Sequence, residues 1–126
     1  MDVSVRREEG VPVAAVRGEV DASNADQVGQ ALHDAVPNLS FGLVLDLSAV
    51  TYLDSAGVRM LFDTITRLDR RQQRLHVVVP AGSFVEEVML STNLAGVADI
   101  DRDAGSAIAN LLGGDEPHQP PAADSQ

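Results

Sequence analysis

The chain has 126 residues, enough for one domain with a hydrophobic core, and 44% of them are hydrophobic. It contains no cysteine, which excludes disulfides, thiol catalysis and cysteine-based metal sites. Its formal net charge of −10 and its few aromatic residues argue against nucleic-acid binding, because phosphate backbones repel such a surface.

The N-terminal segment MDVSVRREEG is half charged and has no apolar stretch of signal-peptide length. No segment has the uninterrupted apolar length that crosses a bilayer, so we expect a soluble, cytoplasmic protein without a membrane partner. The alternation of Val3 and Val5 with polar neighbours predicts a strand. Glu9-Gly10 then predicts a turn, and VPVAAVRG predicts a second strand that returns antiparallel to the first.

The next elements show helical and buried-strand patterns in alternation. Ser23 and Asn24 are typical helix caps before an apolar stripe, and Pro37 ends that helix. GLVLDL predicts a strand covered on both faces. A second helix follows Asp54-Ser55, and its C-terminal arginines are predicted to be solvated and to oppose the helix dipole.

LHVVV predicts a further buried strand, and Ser83 with Glu86 predicts a capping box for the third helix. Asn93 is a candidate terminator of that helix, VADI a short edge strand, and the last helix stops at Gly113-Gly114. The order ββαβαβαβα predicts a single α/β domain with about four helices. Its mixed, mostly parallel sheet carries an N-terminal antiparallel hairpin. We expect the domain over residues 1–112 and a disordered acidic, Pro-rich tail over residues 113–126.

Catalytic signatures are not evident. None of the three histidines (His33, His76, His118) belongs to a triad signature, and the glycine spacing fits neither a phosphate-binding loop nor a dinucleotide fingerprint. Asp21, Asp46 and Asp54 lie near strand ends, but a metal site there would be weak without substrate phosphates. We therefore expect no enzyme activity, no cofactor and no metal.

Ser55 stands out because it lies where a helix begins. The first amide groups of a helix are unpaired and partly positive, so a phosphate on Ser55 could be held there without unfolding the domain. Ala56 and Gly57 are small and leave room for a partner's active site. The alternative is that Ser55 is only a helix cap, and spacing alone favours that alternative.

Three segments decide between these interpretations. VLDLSAVTYLDSAGVRMLF resembles the signature of STAS-domain anti-sigma factor antagonists, in which a strand ending Asp-Leu-Ser leads into Asp-Ser-x-Gly and a helix. GEVDASNADQV resembles the Gly-x-x-Asp turn before the first helix of the same family, and NLAGVADI resembles the link into its last strand. The resemblance covers roughly residues 1–112.

The resemblance implies a partner switch rather than an enzyme. The serine that matches Ser55 is phosphorylated by a kinase-type anti-sigma factor with a GHKL ATPase fold. The unphosphorylated antagonist binds that factor and frees a sigma factor for transcription. Phosphorylation breaks the complex and a serine phosphatase restores it. The predicted partner-binding residues around the phospho-site are Asp21, Ser23, Asp54, Ala56, Gly57 and Arg59.

The sequence is compatible with other interpretations. Ser23 is either a second phospho-acceptor or a helix cap. The domain as a whole is alternatively a stressosome-like signalling scaffold, or a ligand-binding or transport-accessory module. The sequence does not specify an oligomeric state.

Overall fold

The computed structural model describes residues 1–37 and 40–113 as one five-stranded sheet with helices on both faces. The strands are β1 (Asp2–Glu8), β2 (Val11–Val20), β3 (Gly42–Leu53), β4 (Arg74–Val78) and β5 (Asp99–Asp101). The helices are α1 (Ala25–Ala35), α2 (Ser55–Arg70), α3 (Phe84–Ser91), α4 (Leu94–Val97) and α5 (Ala104–Gly113). The strands follow one another across the sheet in chain order. β1 runs antiparallel to β2, and all other neighbours are parallel, which confirms the predicted fold class.

The hairpin at the start of the chain has the two-residue turn that the sequence predicts. Glu8 pairs with Val11, and both turn residues have positive φ, 54° at Glu9 and 80° at Gly10. Positive φ at both positions matches the twist of the flanking strands. The turn therefore fixes the antiparallel register of β1 on β2.

Strands β2 and β3 are longer than their apolar patterns predict. The register of their pairing shifts at two places, and Gly18 at the second of them has a φ of 91°. A bulge lets a strand continue while its side chains change face, which interrupts the periodicity that marks a strand in sequence. As a result β3 continues through SAVTYL to Leu53 and stays paired with β2 to the end.

The two faces of the sheet are covered unequally. Buried residues of α1, α2, α3 and α4 pack on one face, and the buried residues of α5 pack on the other. The buried hydrophobic side chains of the described residues are aliphatic apart from Met60 and Met89, and none is aromatic. In the described part of the chain, no helix combines the length and apolar character needed to cross a bilayer.

Within residues 1–37 and 40–113 the structure has one helix more than predicted. Asn93 does not end α3, which stops at Ser91; instead Asn93 precedes the short helix α4. The final helix includes Gly113, one residue beyond the predicted domain boundary. The rest of the predicted tail, residues 114–126, lies outside the described residues.

Candidate functional site

The parallel strands β2 and β3 end side by side, and both turns that follow them carry predicted site residues. Val20 is paired with Leu53, so Asp21 and Asp54 each come directly after a strand end. Asp54 alone connects β3 to α2, because the strand ends at Leu53 and the helix begins at Ser55. Parallel α/β sheets commonly carry functional groups at this edge.

Asp54 joins the two turns through both carboxylate oxygens. Oδ1 accepts a hydrogen bond from the Gly57 amide at 3.0 Å, which makes Asp54 the N-cap of α2. Oδ2 accepts from the Ala22 amide at 3.1 Å, in the turn before α1. The Asp54 amide itself donates to the Val20 carbonyl at 3.2 Å. This one side chain therefore fixes the start of α2 relative to the Asp21 turn.

Replacing Asp54 with alanine is expected to lower the free energy of unfolding by about 1–2 kcal/mol, because a cap and a second amide partner are lost together. Urea denaturation with equal m-values measures this change. The matched control is Asp63→Ala, an exposed carboxylate on the same helix, for which a change within about 0.5 kcal/mol is expected. Equal losses for the two variants would contradict the role assigned to Asp54.

Ser55 is the first residue of α2 and is exposed. Since Asp54 provides the cap, the alternative in which Ser55 itself caps the helix is wrong. Among the described residues the Ser55 hydroxyl has no hydrogen-bond partner. The amides of Ser55 and Ala56 lie in the first turn, where a helix has no acceptor of its own. The hydroxyl is thus free for chemistry, next to the positive end of a helix dipole.

The turn before α1 is organised by Asp21. Its Oδ1 accepts hydrogen bonds from the Ser23 hydroxyl at 2.5 Å and from the Ser23 amide at 2.9 Å. The hydroxyl bond from Ser23, followed by the amide bond, lowers the pKa of Asp21 below its usual value. Asp21 is therefore a carboxylate at neutral pH and the Ser23 hydroxyl is already engaged.

The predicted capping of α1 by Ser23 or Asn24 is wrong in detail. Asn24 occupies the N-cap position, but its side chain makes no capping bond to the helix. Its Oδ1 accepts from the Asp21 amide at 3.0 Å and its Nδ2 donates to the Glu19 carbonyl at 3.0 Å. The Ser23 and Asn24 side chains therefore stabilise the turn rather than cap the helix. Short polar side chains often form such local hydrogen bonds in competition with capping.

Gly57, which is predicted to bind the partner, lies below the surface, unlike Ser55 and Arg59. It is buried, and a Cβ at this position would lie 2.8 Å from Leu53 Cδ2 and 3.1 Å from the Val20 carbonyl oxygen. A side chain here would push α2 away from the strand ends. Gly57 thus contributes by letting the helix start close to the sheet.

Arg59 and Ala56 border a groove of about 530 Å³ between α1 and α2. Its other lining residues include Ala22, Ala25, Gly29 and Met60. A Cβ on Gly29 would lie 3.2 Å from Met60 Cγ, so this glycine lets the two helices approach. Arg59 is exposed one helical turn after Ser55 and therefore faces the same side of α2.

No histidine that could serve as the base for a serine nucleophile lies near Ser55 in the described part of the chain. His76 is in register with Val44, nine residues before the end of β3, which is about 30 Å of strand. His33 is in the last turn of α1, away from the start of that helix, and His118 lies outside the described residues. The described residues also contain no group of three histidine, aspartate or glutamate side chains suited to a metal ion.

Sequence patterns did not single out the aromatic side chains near this site. Tyr52, three residues before Ser55, stacks on Phe84 at the start of α3, with ring centroids 5.9 Å apart. The signal available in the sequence is an aromatic residue placed beside a buried Leu53 at a strand end. Only the packing of α3 against β3 brings the second ring to it.

Comparison with known proteins agrees with this architecture. The family model described as "Mlab, STAS domain" matches residues 3–102. The anti-sigma-F factor antagonist RsfB of Mycobacterium tuberculosis is 35% identical over 66 residues, which are 52% of this chain and 54% of RsfB. The match thus spans about half the length of that curated relative.

Solved structures resemble the whole domain. An anti-sigma factor antagonist from Mycobacterium paratuberculosis superimposes with a TM-score of 0.76 and 27% identity, covering 88% of this chain and 93% of that one. A putative anti-sigma factor antagonist from Thermotoga maritima gives a TM-score of 0.77 at 20% identity, over 87% of this chain and 94% of that one. At the latter identity the likeness concerns the fold alone.

Proposed function

Because the chain belongs to the STAS-domain family, we propose that it is a cytoplasmic anti-sigma factor antagonist switched by phosphorylation of Ser55. When unphosphorylated, it binds a kinase-type anti-sigma factor of the GHKL ATPase fold and so releases a sigma factor. That partner phosphorylates Ser55 and the complex dissociates, and a serine phosphatase removes the phosphate. The protein acts by binding and is not itself an enzyme.

The observation that carries this proposal is that Asp54, and not Ser55, makes the hydrogen bonds that hold the start of α2. Asp54 caps α2 and also accepts a hydrogen bond from the Ala22 amide in the preceding turn. The exposed Ser55 hydroxyl therefore makes no hydrogen bond that stabilises the fold among the described residues. A residue without a structural task can accept a phosphate at little cost to the fold. The similarity to RsfB and to the M. paratuberculosis antagonist supports the choice of an anti-sigma factor as the partner.

Charge explains how a phosphate would reverse binding. A phosphoserine adds about −1.5 to −2 charges at pH 7. This negative charge would add to those of the Asp21 and Asp54 carboxylates at the same end of the sheet. A partner surface that fits the free hydroxyl would then face a larger group and a stronger negative field. Arg59, on the next turn of the same helix face, is expected to contact the partner in the unphosphorylated protein.

The proposal is tested with the purified protein as bait in lysate of its native host. Wild type is expected to capture a GHKL-type ATPase, and Ser55→Glu is expected not to. Ser106→Glu is the matched control, because it adds the same charge to an exposed first-turn position of α5, on the other face of the sheet. If Ser55→Glu captures the same ATPase as wild type, or if wild type captures none, the proposed switch is wrong.

A further inference from the structure

All four aromatic side chains of this protein are on its surface. Phe41 is 76% exposed, Phe62 46%, Tyr52 45% and Phe84 41%, and the chain has no tryptophan. Aromatic rings normally dominate the energetics of cores and of interfaces. Here no aromatic residue belongs to either core cluster, so the exposed parts of the rings are available for an interface.

Tyr52 and Phe84 form an aromatic pair because of how β3 ends. The last residue of β3 that pairs with β4 is Asp46, so the rest of β3 extends beyond its neighbour. Helix α3 packs against β3 and its first residue, Phe84, meets Tyr52 in a stacked contact with an interplanar angle of 25°. The pair therefore stands at the same end of the sheet as the Asp54-Ser55 connection.

The distance from the aromatic pair to Ser55 is short. Tyr52 is three residues from Ser55, and three residues span at most about 10 Å. A protein interface of ordinary size buries roughly 800 Å² on each partner, which corresponds to a disc of roughly 16 Å radius. A partner that docks over Ser55 with such an interface is therefore large enough to reach Tyr52 as well, and Phe84 through its stacked contact with Tyr52.

The charges around the aromatic pair indicate the chemistry of that partner. Exposed Glu19 lies opposite Tyr52 in the pairing of β2 with β3, and exposed Glu87 follows Phe84 on α3. Asp21 and Asp54 lie at the adjoining strand ends. An apolar pair bordered by carboxylates fits an apolar pocket bordered by lysine or arginine.

We infer that the Tyr52–Phe84 aromatic pair is the apolar anchor through which this protein binds its anti-sigma factor. The inference rests on the proposed function and assigns the main binding affinity to a place that is distinct from the phosphorylated hydroxyl. The pair enters a pocket of the partner that has a basic rim, while the active site of the partner reaches Ser55. Recognition and modification thus use neighbouring but separate side chains.

The test measures the affinity of the ATPase captured by wild-type bait, purified and loaded with Mg-ADP, for a set of unphosphorylated variants. Tyr52→Ser combined with Phe84→Ser is expected to weaken binding at least tenfold, as for other central aromatic anchors. Tyr52→Phe keeps the ring and is expected to bind as wild type does. Circular dichroism and urea midpoints verify that each variant is folded.

Phe41→Ser is the matched control. Phe41 is the most exposed aromatic residue, but it precedes β3 at the opposite end of the strand, roughly 40 Å from Leu53 along an extended chain. Its replacement is expected to leave the affinity unchanged. Equal weakening by Phe41→Ser would mean that surface apolarity in general, and not the pair, drives binding, and would overturn the inference.

Ser55→Glu in the same assay separates the two proposals. If Ser55→Glu loses binding while the double serine variant retains it, the switch stands and the anchor inference is wrong. If no ATPase binds wild type, both are wrong. Sedimentation of the wild-type protein tests whether a second copy of this chain covers the aromatic pair instead. A dimer that the double serine variant abolishes would also overturn the inference.

Discussion

Ser55→Ala is expected to abolish phosphate incorporation while preserving binding to the anti-sigma partner. The hydroxyl is exposed at the first position of α2, and Asp54, not Ser55, holds the helix start. Removing this oxygen therefore takes away the acceptor without disturbing the cap. The variant remains in its binding-competent form permanently, so it is expected to keep the sigma factor released whatever the kinase activity.

Mass spectrometry after incubation with the partner and Mg-ATP measures the incorporation. Ser23→Ala is the informative control, because Ser23 lies on the adjoining turn but its hydroxyl is engaged by Asp21 at 2.5 Å. We expect Ser23→Ala to be phosphorylated as wild type is. Undiminished phosphate uptake by Ser55→Ala would disprove the site assignment, and loss of uptake in Ser23→Ala alone would move it to the earlier turn.

Phosphorylation of the wild-type protein is expected to weaken partner affinity at least tenfold, which is about 1.4 kcal/mol, and to leave the fold intact. Three physical terms act on the phosphate where it is attached. The helix dipole and the first-turn amides favour it by about 0.3–1 kcal/mol, and Asp54 disfavours it by charge repulsion. Arg59, one turn along the same face, opposes that repulsion. The net effect of the phosphate on the free energy of unfolding of the free protein is expected to be close to zero.

Titration calorimetry of the phosphorylated and unphosphorylated forms measures the affinity, and differential scanning calorimetry measures the thermal midpoint. A change of 1 kcal/mol moves the midpoint of a domain of this size by roughly 3–6 °C, so a smaller shift is expected. Arg59→Ala serves as the comparison, since its phosphorylated form loses the nearby positive charge and is expected to melt lower. A fall of more than about 10 °C on phosphorylating wild type would show that the start of α2 does not accommodate the group.

The full length of β3 could not be predicted from its hydrophobic pattern. The apolar run GLVLDL predicts a strand of about half the observed length, because the segment SAVTYL has no clean alternation. Two register shifts in the pairing with β2 cause this irregularity. A strand that is held by bulged pairing with a neighbour leaves no periodic signature in its own sequence.

The roles of Asp54 and Asn24 show the same limit in the two turns. Both are good capping residues and both occupy N-cap positions. Asp54 caps its helix, while the Asn24 side chain bonds to Asp21 and Glu19 instead. Capping propensity describes what a side chain can do, and the geometry of the surrounding turn selects among its possible partners.

The sequence by itself determined the features that depend on residues within about one helical turn or strand pair of each other. These are the hairpin turn, the alternation of strands and helices, and the family motif around Ser55, since local periodicity and side-chain reach are enough to specify them. The tertiary structure decided the strand order, the bond between Ala22 and Asp54, the burial of Gly57 and the stacking of Tyr52 on Phe84. Each of these joins residues that are distant in the chain, and such contacts exist only once the sheet has brought its strand ends together and the helices have packed on it.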